Sequence, residues 1–421
     1  MATLSQTPSA ERPHIALLGR RNVGKSSLIN ALAGQRVALV SEVPGTTTDP
    51  VSKAMEIAPI GPVVLVDTAG LDDQGYLGGL RVDRTKQVLA TADLGLLVLE
   101  AGQSLGPHEE EALALLRQFE VPVIAVVNKI DLGDPSSLVA ELERRGVPVY
   151  LVSSITGQGI VELRQSLHRH LVTEQGPPLV ADLIEAKDLV VLVVPLDLGA
   201  PKGRLILPQV QVLRECLDQE AVAVVVKETE LTLALQSLRR KPKLVVTDSQ
   251  VVMKVAADVP SDIRLTTFSI LYARYKGDLP TFVRGLKAVE SLRPGDKILI
   301  AEACTHHPSP DDIGRVKIPN WLRARVGGDL RIEMAVGKDF PADLQSYRLV
   351  VHCGGCMVTR KTVRSRLRQV AEAGVPVVNY GVLISYLHGV LPRALEPFPE
   401  ALAEWESLPL RKRPVEGIRN S

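Results

Sequence analysis

Residues 14–34 read HIALLGRRNVGKSSLINALAG, and this stretch decides the fold of the first part of the chain. A short aliphatic run is followed by a glycine-bounded turn, which opens into a segment with helical spacing of apolar residues. The turn from Gly19 to Ser26 fits the pattern GxxxxGK[ST], in which backbone N–H groups and a helix N-terminus face phosphate oxygens. Strand, turn and helix in this order predict a doubly wound α/β domain that binds a nucleotide.

Individual residues of this turn have predicted roles. Lys25 would place a positive charge beside the phosphates, and the hydroxyl group of Ser26 would bind Mg²⁺. The nucleotide-binding residues predicted in this stretch are Gly19, Asn22, Val23, Gly24, Lys25, Ser26 and Ser27.

A second motif, DTAG, follows the aliphatic run VVLV. Asp67 would hold Mg²⁺ through a water molecule, and the N–H group of Gly70 would face a γ-phosphate. DxxG is common in proteins, so it gains weight only in combination with the other motifs.

A third motif, NKID, predicts the choice of base. Asn128, Lys129 and Asp131 follow the strand-like run VPVIAVV. The carboxylate of Asp131 can accept hydrogen bonds from N1–H and the 2-amino group of guanine, a pair of donors that adenine lacks. Ser153, Ser154 and Ile155 would close over the edge of the base.

The order and spacing of these motifs resemble the Ras-like family of small GTPases over residues 14–172. Asn22 and PGTTTD at 44–49 resemble the bacterial group that includes the tRNA-modification GTPases of the TrmE type. That resemblance implies K⁺ beside the phosphates, a Mg²⁺ site and a small catalytic set. The implied K⁺ ligands are Asn22, Ser41, Val43 and Thr46; the Mg²⁺ ligands are Ser26 and Thr47; the catalytic residues are Lys25, Thr47 and Gly70.

Two features of this region limit the interpretation. Asn22 could simply cap the loop, and the threonines could form an ordinary turn. Leu71 stands where Ras has a water-orienting glutamine, which predicts slow intrinsic GTP hydrolysis, as in a switch.

Length and composition predict several soluble domains. The chain has 421 residues, and typical domains of roughly 150 residues suggest about three. Lys and Arg total 49 against 48 Asp and Glu, so no charge excess favours nucleic acid or a membrane surface. The N-terminus lacks the pattern of a signal peptide, which predicts a cytoplasmic protein.

The rhythm of aliphatic runs and amphipathic segments predicts three α/β domains, the second and third with mainly parallel sheets. The second domain carries no recognisable chemistry, and an open sheet edge there could pair two subunits into a homodimer. TVRSRLRQVAEAG predicts a helix with Thr362 as its N-cap. The predicted parts are a flexible start (1–12), a GTPase domain (13–173), a dimerisation domain (179–264), a cluster-binding domain (265–410) and a tail (411–421).

Three of the four cysteines lie in histidine-bearing loops after predicted strands. Cys304 precedes His306 and His307, and the later segment HCGGC holds His352, Cys353 and Cys356. Loops that follow adjacent parallel strands lie at one edge of a sheet, so these thiols can converge. Soft ligands at this density favour zinc or an iron–sulfur cluster, and the residues alone do not choose between them. The remaining cysteine, Cys216, is interpreted as a buried helix residue.

CTH at 304–306 and HCGGC at 352–356 resemble the CxH…HCxxC pattern of the [FeFe]-hydrogenase maturation GTPase family, and the order of the three domains extends this resemblance over the whole chain. The family implies a scaffold that binds a [4Fe–4S] cluster through Cys304, Cys353 and Cys356, with His306 and His352 as further candidate ligands. It also implies two radical-SAM maturases and apo-[FeFe]-hydrogenase as partners, with GTP as a switch.

Two other hypotheses stay open. One is a tRNA-modification or ribosome-associated GTPase with a structural zinc site, which the balanced charge disfavours. The other is an interaction protein in which the metal has only a structural role and stabilises the third domain.

Overall fold

The computed structural model describes residues 11–33, 51–68, 78–173, 176–195, 205–303, 312–337, 340–341 and 343–409. The chain divides into two compact units, residues 1–175 and 176–421. Both units contain sheets covered by helices, as the α/β prediction requires. Within the described ranges, no helix combines the length and the apolar character needed to cross a membrane.

The first unit contains a six-stranded sheet in the order β2, β3, β1, β4, β5, β6, in which only β2 runs antiparallel to its neighbour. The strands are β1 (His14–Leu18), β2 (Val51–Ile57), β3 (Gly61–Asp67), β4 (Leu94–Glu100), β5 (Val123–Asn128) and β6 (Val149–Leu151). The helices are α1 (Lys25–Ala33), α2 (Gly78–Leu89), α3 (Pro107–Gln118), α4 (Ser136–Arg144) and α5 (Ile160–Thr173).

Both faces of this sheet are buried. Ile15 and Leu17 of β1 join one hydrophobic cluster, whereas Ala16 and Leu18 join another, because successive side chains of a strand point to opposite faces. A strand that is apolar at every position therefore belongs in the middle of a sheet with helices on both sides. The carboxyl end of β1 is thereby fixed beside those of β3 and β4.

The second unit contains two four-stranded, all-parallel sheets, in the orders β10, β9, β7, β8 and β12, β11, β13, β14. The strands are β7 (Leu189–Val193), β8 (Val222–Val226), β9 (Leu244–Thr247), β10 (Arg264–Thr267), β11 (Lys297–Glu302), β12 (Arg331–Val336), β13 (Leu349–His352) and β14 (Val377–Asn379). The helices are α6 (Leu207–Asp218), α7 (Leu231–Ser237), α8 (Val252–Asp258), α9 (Phe268–Lys276), α10 (Leu279–Arg284), α11 (Leu286–Glu290), α12 (Ile318–Val326), α13 (Arg360–Glu372), α14 (Tyr380–Leu387), α15 (Leu391–Leu395) and α16 (Pro399–Ser407). Short 3₁₀ segments lie at Ala181–Leu183, Ser249–Val251 and Leu344–Ser346, and a π-helical turn at Ile313–Lys317.

One hydrophobic cluster joins the two sheets of this unit. It includes Leu192 of β7, Ile300 of β11 and Leu271 of α9, all almost fully buried. Helix α9 packs against α6, α13 and α14 and so lies between the two sheets. The end of α9 is thereby held in the interior of the unit.

The two edge strands of the sheet formed by β7, β8, β9 and β10 differ in how other elements pack against them. Thr266 of β10 donates a hydrogen bond of 3.0 Å to the carbonyl oxygen of Ala394 in α15. Strand β8 forms the other edge, and its Val222 and Val225 are 50% and 42% exposed. Apolar side chains on an uncovered edge strand are typical of a surface that pairs with another chain.

The apolar runs DKILIAEAC, RIEMAVG, YRLVVHCGGC and GVPVVNYG each predict a strand, and they contain β11, β12, β13 and β14. Cys216 is buried in α6, as expected. The predicted N-cap of α13 is wrong by one turn. Thr359 is the N-cap, and its side chain accepts a hydrogen bond of 3.2 Å from the N–H group of Thr362. The domain boundaries stay predictions.

Candidate functional site

The phosphate-binding turn lies between β1 and α1. Two of its positions must be glycine because other atoms lie too close for a side chain. A Cβ atom on Gly19 would lie 2.4 Å from the carbonyl oxygen of Val98 in β4, and one on Gly24 would lie 2.3 Å from Nδ2 of Asn128. Both glycines, and also Asn22, have positive φ angles of 147°, 94° and 62° respectively. Asparagine tolerates this left-handed region better than most residues, so Asn22 fits the turn on backbone grounds.

Side chains in this turn differ in exposure. Val23 is buried, whereas Asn22, Ser26 and Ser27 are exposed. The ammonium group of Lys25 donates to the carbonyl oxygens of Gly19 and Arg20 over 2.7 and 2.8 Å. Lys25 therefore lies folded over the turn into which phosphate oxygens would enter.

Asp67 ends β3 directly beside Leu17 of β1. Its Oδ1 atom is buried and has no hydrogen-bond partner among the residues that the structure describes. Burial raises the pKa of this carboxyl group, and the charges of Lys25 and Lys53 oppose the increase. A buried carboxylate oxygen without a donor fits a hydrated Mg²⁺ ion, which would supply the missing donors.

Asn128 joins the base-binding motif to the phosphate-binding turn. Its Nδ2 atom donates 3.0 Å to the carbonyl oxygen of Val23, and its Oδ1 atom accepts from N and Oγ of Ser154 over 3.0 and 2.9 Å. The side chain is almost completely buried. Three segments that are distant in sequence are thereby held at one edge of the sheet.

The remaining residues of the base site surround this junction. Lys129 has a φ angle of 63° and forms an ion pair of 3.0 Å with Glu100 at the end of β4. Ser153 is buried, and its Oγ atom accepts a hydrogen bond of 3.2 Å from the N–H group of Thr156. Asp131 and Ile155 are exposed, the latter by 81%, which leaves both accessible to a nucleotide base.

Seven of the predicted site residues lie outside the described part of the chain. These are Ser41, Val43, Thr46, Thr47, Gly70, Cys304 and His306. The roles of Thr47 as a Mg²⁺ ligand and of Ser41, Val43 and Thr46 as K⁺ ligands stay predictions.

The thiol loop, residues 353–358, leaves the carboxyl end of β13. Strand β13 pairs in parallel with β11, with Ala301 opposite His352. The Sγ atom of Cys353 accepts hydrogen bonds from the N–H groups of Ala303 and Gly355 over 3.2 and 3.4 Å. Cys353 thus contacts the residue that precedes Cys304 in the chain. The carboxyl ends of β11 and β13 are therefore adjacent, and the convergence of Cys304 with the other two thiols stays a prediction.

Burial controls the ionisation of both thiols. It raises the pKa of Cys353 to about 11, against the hydrogen bonds from Ala303 and Gly355. It also raises the pKa of Cys356, against the charge of Lys276. Without a metal both thiols are therefore protonated at neutral pH, and a metal that binds them must displace protons.

His352 is neutral and has one uncommitted ring nitrogen. Burial lowers its pKa to about 4, and its Nδ1 atom lies 2.7 Å from the carbonyl oxygen of Cys353. In the tautomer with the proton on Nδ1, that nitrogen donates to the carbonyl group. Nε2 then carries a lone pair, is buried and makes no hydrogen bond within the described ranges. Thiols and imidazoles are ligand types that iron and zinc favour, but within the described residues no three histidine, cysteine or acidic side chains converge so that they could hold a metal ion.

Two residues beside the thiol loop carry no sequence signal. Lys276 ends α9 and donates to three carbonyl oxygens of the loop, and Arg366 lies buried in α13. Basic residues near a helix end or on a helix face are common, so sequence patterns do not distinguish these two. In the first unit, Arg20 likewise carries no sequence signal, and it forms an ion pair of 2.6 Å with the buried Glu109 of α3.

Family models match three successive parts of the chain. Residues 14–129 match the family model of a 50S ribosome-binding GTPase, residues 179–277 that of the hydrogen maturase F dimerization domain, and residues 280–397 that of the hydrogen maturase F tetramerization domain.

Individual relatives match the first unit. The tRNA modification GTPase MnmE of Koribacter versatilis is 39% identical over 163 residues, which cover 38% of this chain and 35% of that protein. The GTPase Der of Acidithiobacillus ferrooxidans is 35% identical over 192 residues, which cover 41% and 42%. The crystal structure of the G domain of the T. maritima FeoB iron transporter shows 28% identity, covers 38% of this chain and 98% of that one, and has a TM-score of 0.30. The chain thus spans less than half the length of these two curated relatives.

The phosphate-binding turn, the base motif and the matched GTPase domain define this protein as a P-loop GTPase. The two maturase domains that follow extend the match to its second unit. The chain belongs to the hydrogen maturase F (HydF) family.

Proposed function

We propose that this protein is a slowly GTP-hydrolysing scaffold that binds a [4Fe–4S] cluster and delivers the di-iron subcluster precursor to apo-[FeFe]-hydrogenase. Cys304, Cys353 and Cys356 would hold the cluster, and His306 and His352 are further candidate ligands. Two radical-SAM maturases would supply the precursor. The family match supports the role in maturation, and the thiol geometry supports the cluster.

The observation that carries the cluster proposal is the hydrogen bond of 3.2 Å from the N–H group of Ala303 to Sγ of Cys353. Cys304 is the next residue in the chain after Ala303, and neighbouring Cα atoms are about 3.8 Å apart. The proposed cluster, held by Cys304 after β11 and by Cys353 and Cys356 after β13, needs thiolates from both strand ends. N–H groups directed at sulfur also stabilise the thiolate form and tune such clusters.

For the nucleotide half, we propose that GTP, Mg²⁺ and K⁺ bind at the turn between β1 and α1. Ser26 and Thr47 would hold Mg²⁺, with Asp67 acting through water, and Asn22, Ser41, Val43 and Thr46 would hold K⁺. The cations would neutralise charge between the β- and γ-phosphates. Lys25 would leave the carbonyl groups of Gly19 and Arg20 and turn to the phosphates. Loss of the γ-phosphate would release the loops around Thr47 and Gly70, as in other GTPase switches.

The rate of hydrolysis tests the switch. We expect turnover below about 1 s⁻¹ in K⁺ buffer, the low end of typical enzymes, because Leu71 replaces a water-orienting glutamine. Turnover should fall when Na⁺ replaces K⁺. A turnover of about 100 s⁻¹ would contradict a switch, and equal rates in the two buffers would contradict the K⁺ site.

We also propose a homodimer that forms through β8. The opposite edge strand, β10, is covered by α15, whereas β8 exposes Val222 and Val225. Pairing of two β8 strands would join two sheets and bury these valines. The matched dimerization domain, residues 179–277, contains this strand.

Anaerobic reconstitution with iron and sulfide tests the cluster. We expect a brown protein with about four irons per chain and an EPR signal after reduction. Serine at Cys304, Cys353 and Cys356 should abolish the colour, whereas Cys216→Ser, at a thiol buried in α6, should not. Four irons retained by the triple variant would overturn the proposed ligands.

The alternative function is RNA modification or ribosome association with a structural zinc. It is favoured by the similarity of the first unit to MnmE and by the match to the ribosome-binding GTPase model. A colourless chain that holds one zinc and binds tRNA or ribosomes in a filter assay would establish it. A brown chain that binds neither tRNA nor ribosomes in this assay would exclude it.

A further inference from the structure

Lys276 is a buried ammonium group that determines the shape of the thiol loop. Its Nζ atom donates to the carbonyl oxygens of Gly355, Cys356 and Val358 over 3.0, 3.2 and 2.7 Å. The side chain is only 2% exposed, and Nζ lies 5.2 Å from the ring centroid of Tyr272. Three carbonyl groups that converge on one cation fix the loop that carries Cys356.

Arg366 is a second buried cation at the same edge of the β11–β13 sheet. It is 3% exposed, lies 5.3 Å from the ring centroid of Phe340 and donates through Nη2 to the carbonyl oxygen of Gly337. The N–H group of Gly337 donates 2.9 Å to the carbonyl oxygen of Glu302, which precedes Ala303. Arg366 is thereby linked to the strand end that contacts Cys353.

Among the residues that the structure describes, the guanidinium group of Arg366 has no carboxylate partner. Its Nη1 atom is buried and makes no hydrogen bond within the described ranges. A buried guanidinium group stays protonated, and without an anion it is strongly destabilising. Charge interaction with Cys353 opposes the lowering of the Arg366 pKa that burial causes. Cys353 is thus the acidic group that interacts with Arg366 within the described residues, and an anion held by the thiol loop would lie beside this guanidinium group.

We propose that Lys276 and Arg366 form a buried cationic frame that holds the cluster as an anion and favours its reduced state; this inference rests on the proposed cluster site. A cluster with three thiolate ligands is net negative, and reduction adds a further negative charge. Fixed cations therefore stabilise the reduced form more than the oxidised form. Both residues are positioning residues, since neither ligates iron.

The test uses the full chain after anaerobic reconstitution. Lys276→Met and Arg366→Gln remove the charges, and Lys276→Arg and Arg366→Lys keep them. The exposed Lys287 and Arg364 provide the matched controls Lys287→Met and Arg364→Gln. The measurements are the midpoint potential from an EPR-monitored redox titration, the iron content and the thermal unfolding curve.

We expect each charge-removing variant to shift the equilibrium about tenfold toward the oxidised cluster, which is 59 mV for one electron. The charge-retaining variants and the surface controls should stay near the wild-type potential. The charge-removing variants could fail to take up iron. In that case, the frame is supported if the charge-retaining variants do take up iron and show the wild-type midpoint potential. Failure of uptake in those variants too overturns a role of charge, because geometry then accounts for the defect.

The two proposals fail in distinguishable ways. A wild-type chain that takes up no iron overturns the cluster site and this inference with it. A brown wild-type chain whose potential equals that of both Lys276→Met and Arg366→Gln overturns this inference alone.

Discussion

The side chain of Asn128 donates a hydrogen bond of 3.0 Å to the carbonyl oxygen of Val23, so the base-binding motif and the phosphate-binding turn share one buried contact. The close approach of Gly24 to Nδ2 of Asn128 belongs to the same contact. A side chain on residue 24 would displace it. The Asn128 contact therefore requires glycine at position 24, although the two residues are far apart in the sequence.

Asn128→Ala should weaken GDP binding at least tenfold. Alanine leaves the carbonyl oxygen of Val23 and the N–H group of Ser154 without their partner, which costs about 1–3 kcal/mol per buried group. Binding of a fluorescent GDP analogue measures the affinity, and calorimetry measures the unfolding transition that GDP shifts. Asn30→Ala, at an exposed position of α1, is the control. Equal effects of the two substitutions would show that the contact is unimportant.

Asp131→Asn should lower GTP affinity by about 10- to 100-fold and leave the fold intact. The exposed carboxylate accepts two donors of guanine in the proposed complex, and hydrogen bonds to charged groups contribute about 1.5–3 kcal/mol. Isothermal titration with GTP and ATP measures the effect, with Glu143→Gln at an exposed position of α4 as the control. If Asp131→Asn binds GTP as well as the wild type does, Asp131 does not read the base.

Replacement of both Val222 and Val225 by lysine should halve the molar mass of the assembly. Charges on an edge strand oppose its pairing with a second copy. Light scattering after size-exclusion chromatography gives the mass, to be compared with 45.5 kDa for one chain. Met253→Lys, 43% exposed on α8, is the matched control because α8 precedes the opposite edge strand, β10. An unchanged mass for the double variant would move the dimer interface elsewhere.

The metal-free chain should lose about 2 kcal/mol of stability between pH 7 and pH 5 through His352. Its pKa is about 4 in the folded chain against 6.5 for the unperturbed group. The unfolded chain therefore binds a proton that the folded chain excludes, so the stabilisation is complete above pH 6.5 and is lost as the pH falls toward 4. Denaturant titrations across this range measure it.

His352→Asn separates this effect from the other titrating groups. Asparagine keeps an N–H donor for the carbonyl oxygen of Cys353 but does not titrate. The slope of stability against pH should flatten in this variant and stay unchanged in Asn30→Ala, at an exposed position of α1. An unaltered slope in His352→Asn would place the acid sensitivity in other residues.

The local motifs could be read from the sequence because their chemistry is local. A glycine-bounded turn between an aliphatic run and a helix requires only neighbouring residues, and the strands 297–302 and 349–352 follow from continuous apolar runs. The error at the N-cap of α13 has the same origin, since Thr359 and Thr362 are both good caps and neighbouring residues do not rank them.

The α/β class, the guanine-nucleotide motifs and the family resemblance follow from consecutive residues alone. Only tertiary packing makes β11 and β13 neighbours, brings Asn128 to Val23, places Lys276 on the thiol loop and buries Arg366. The reason is physical: a motif is a property of consecutive residues, whereas burial and the pairing of charges depend on which distant segments pack together. In the sequence, a lysine or arginine that becomes buried cannot be told from one that stays exposed, because only packing removes water from its side chain.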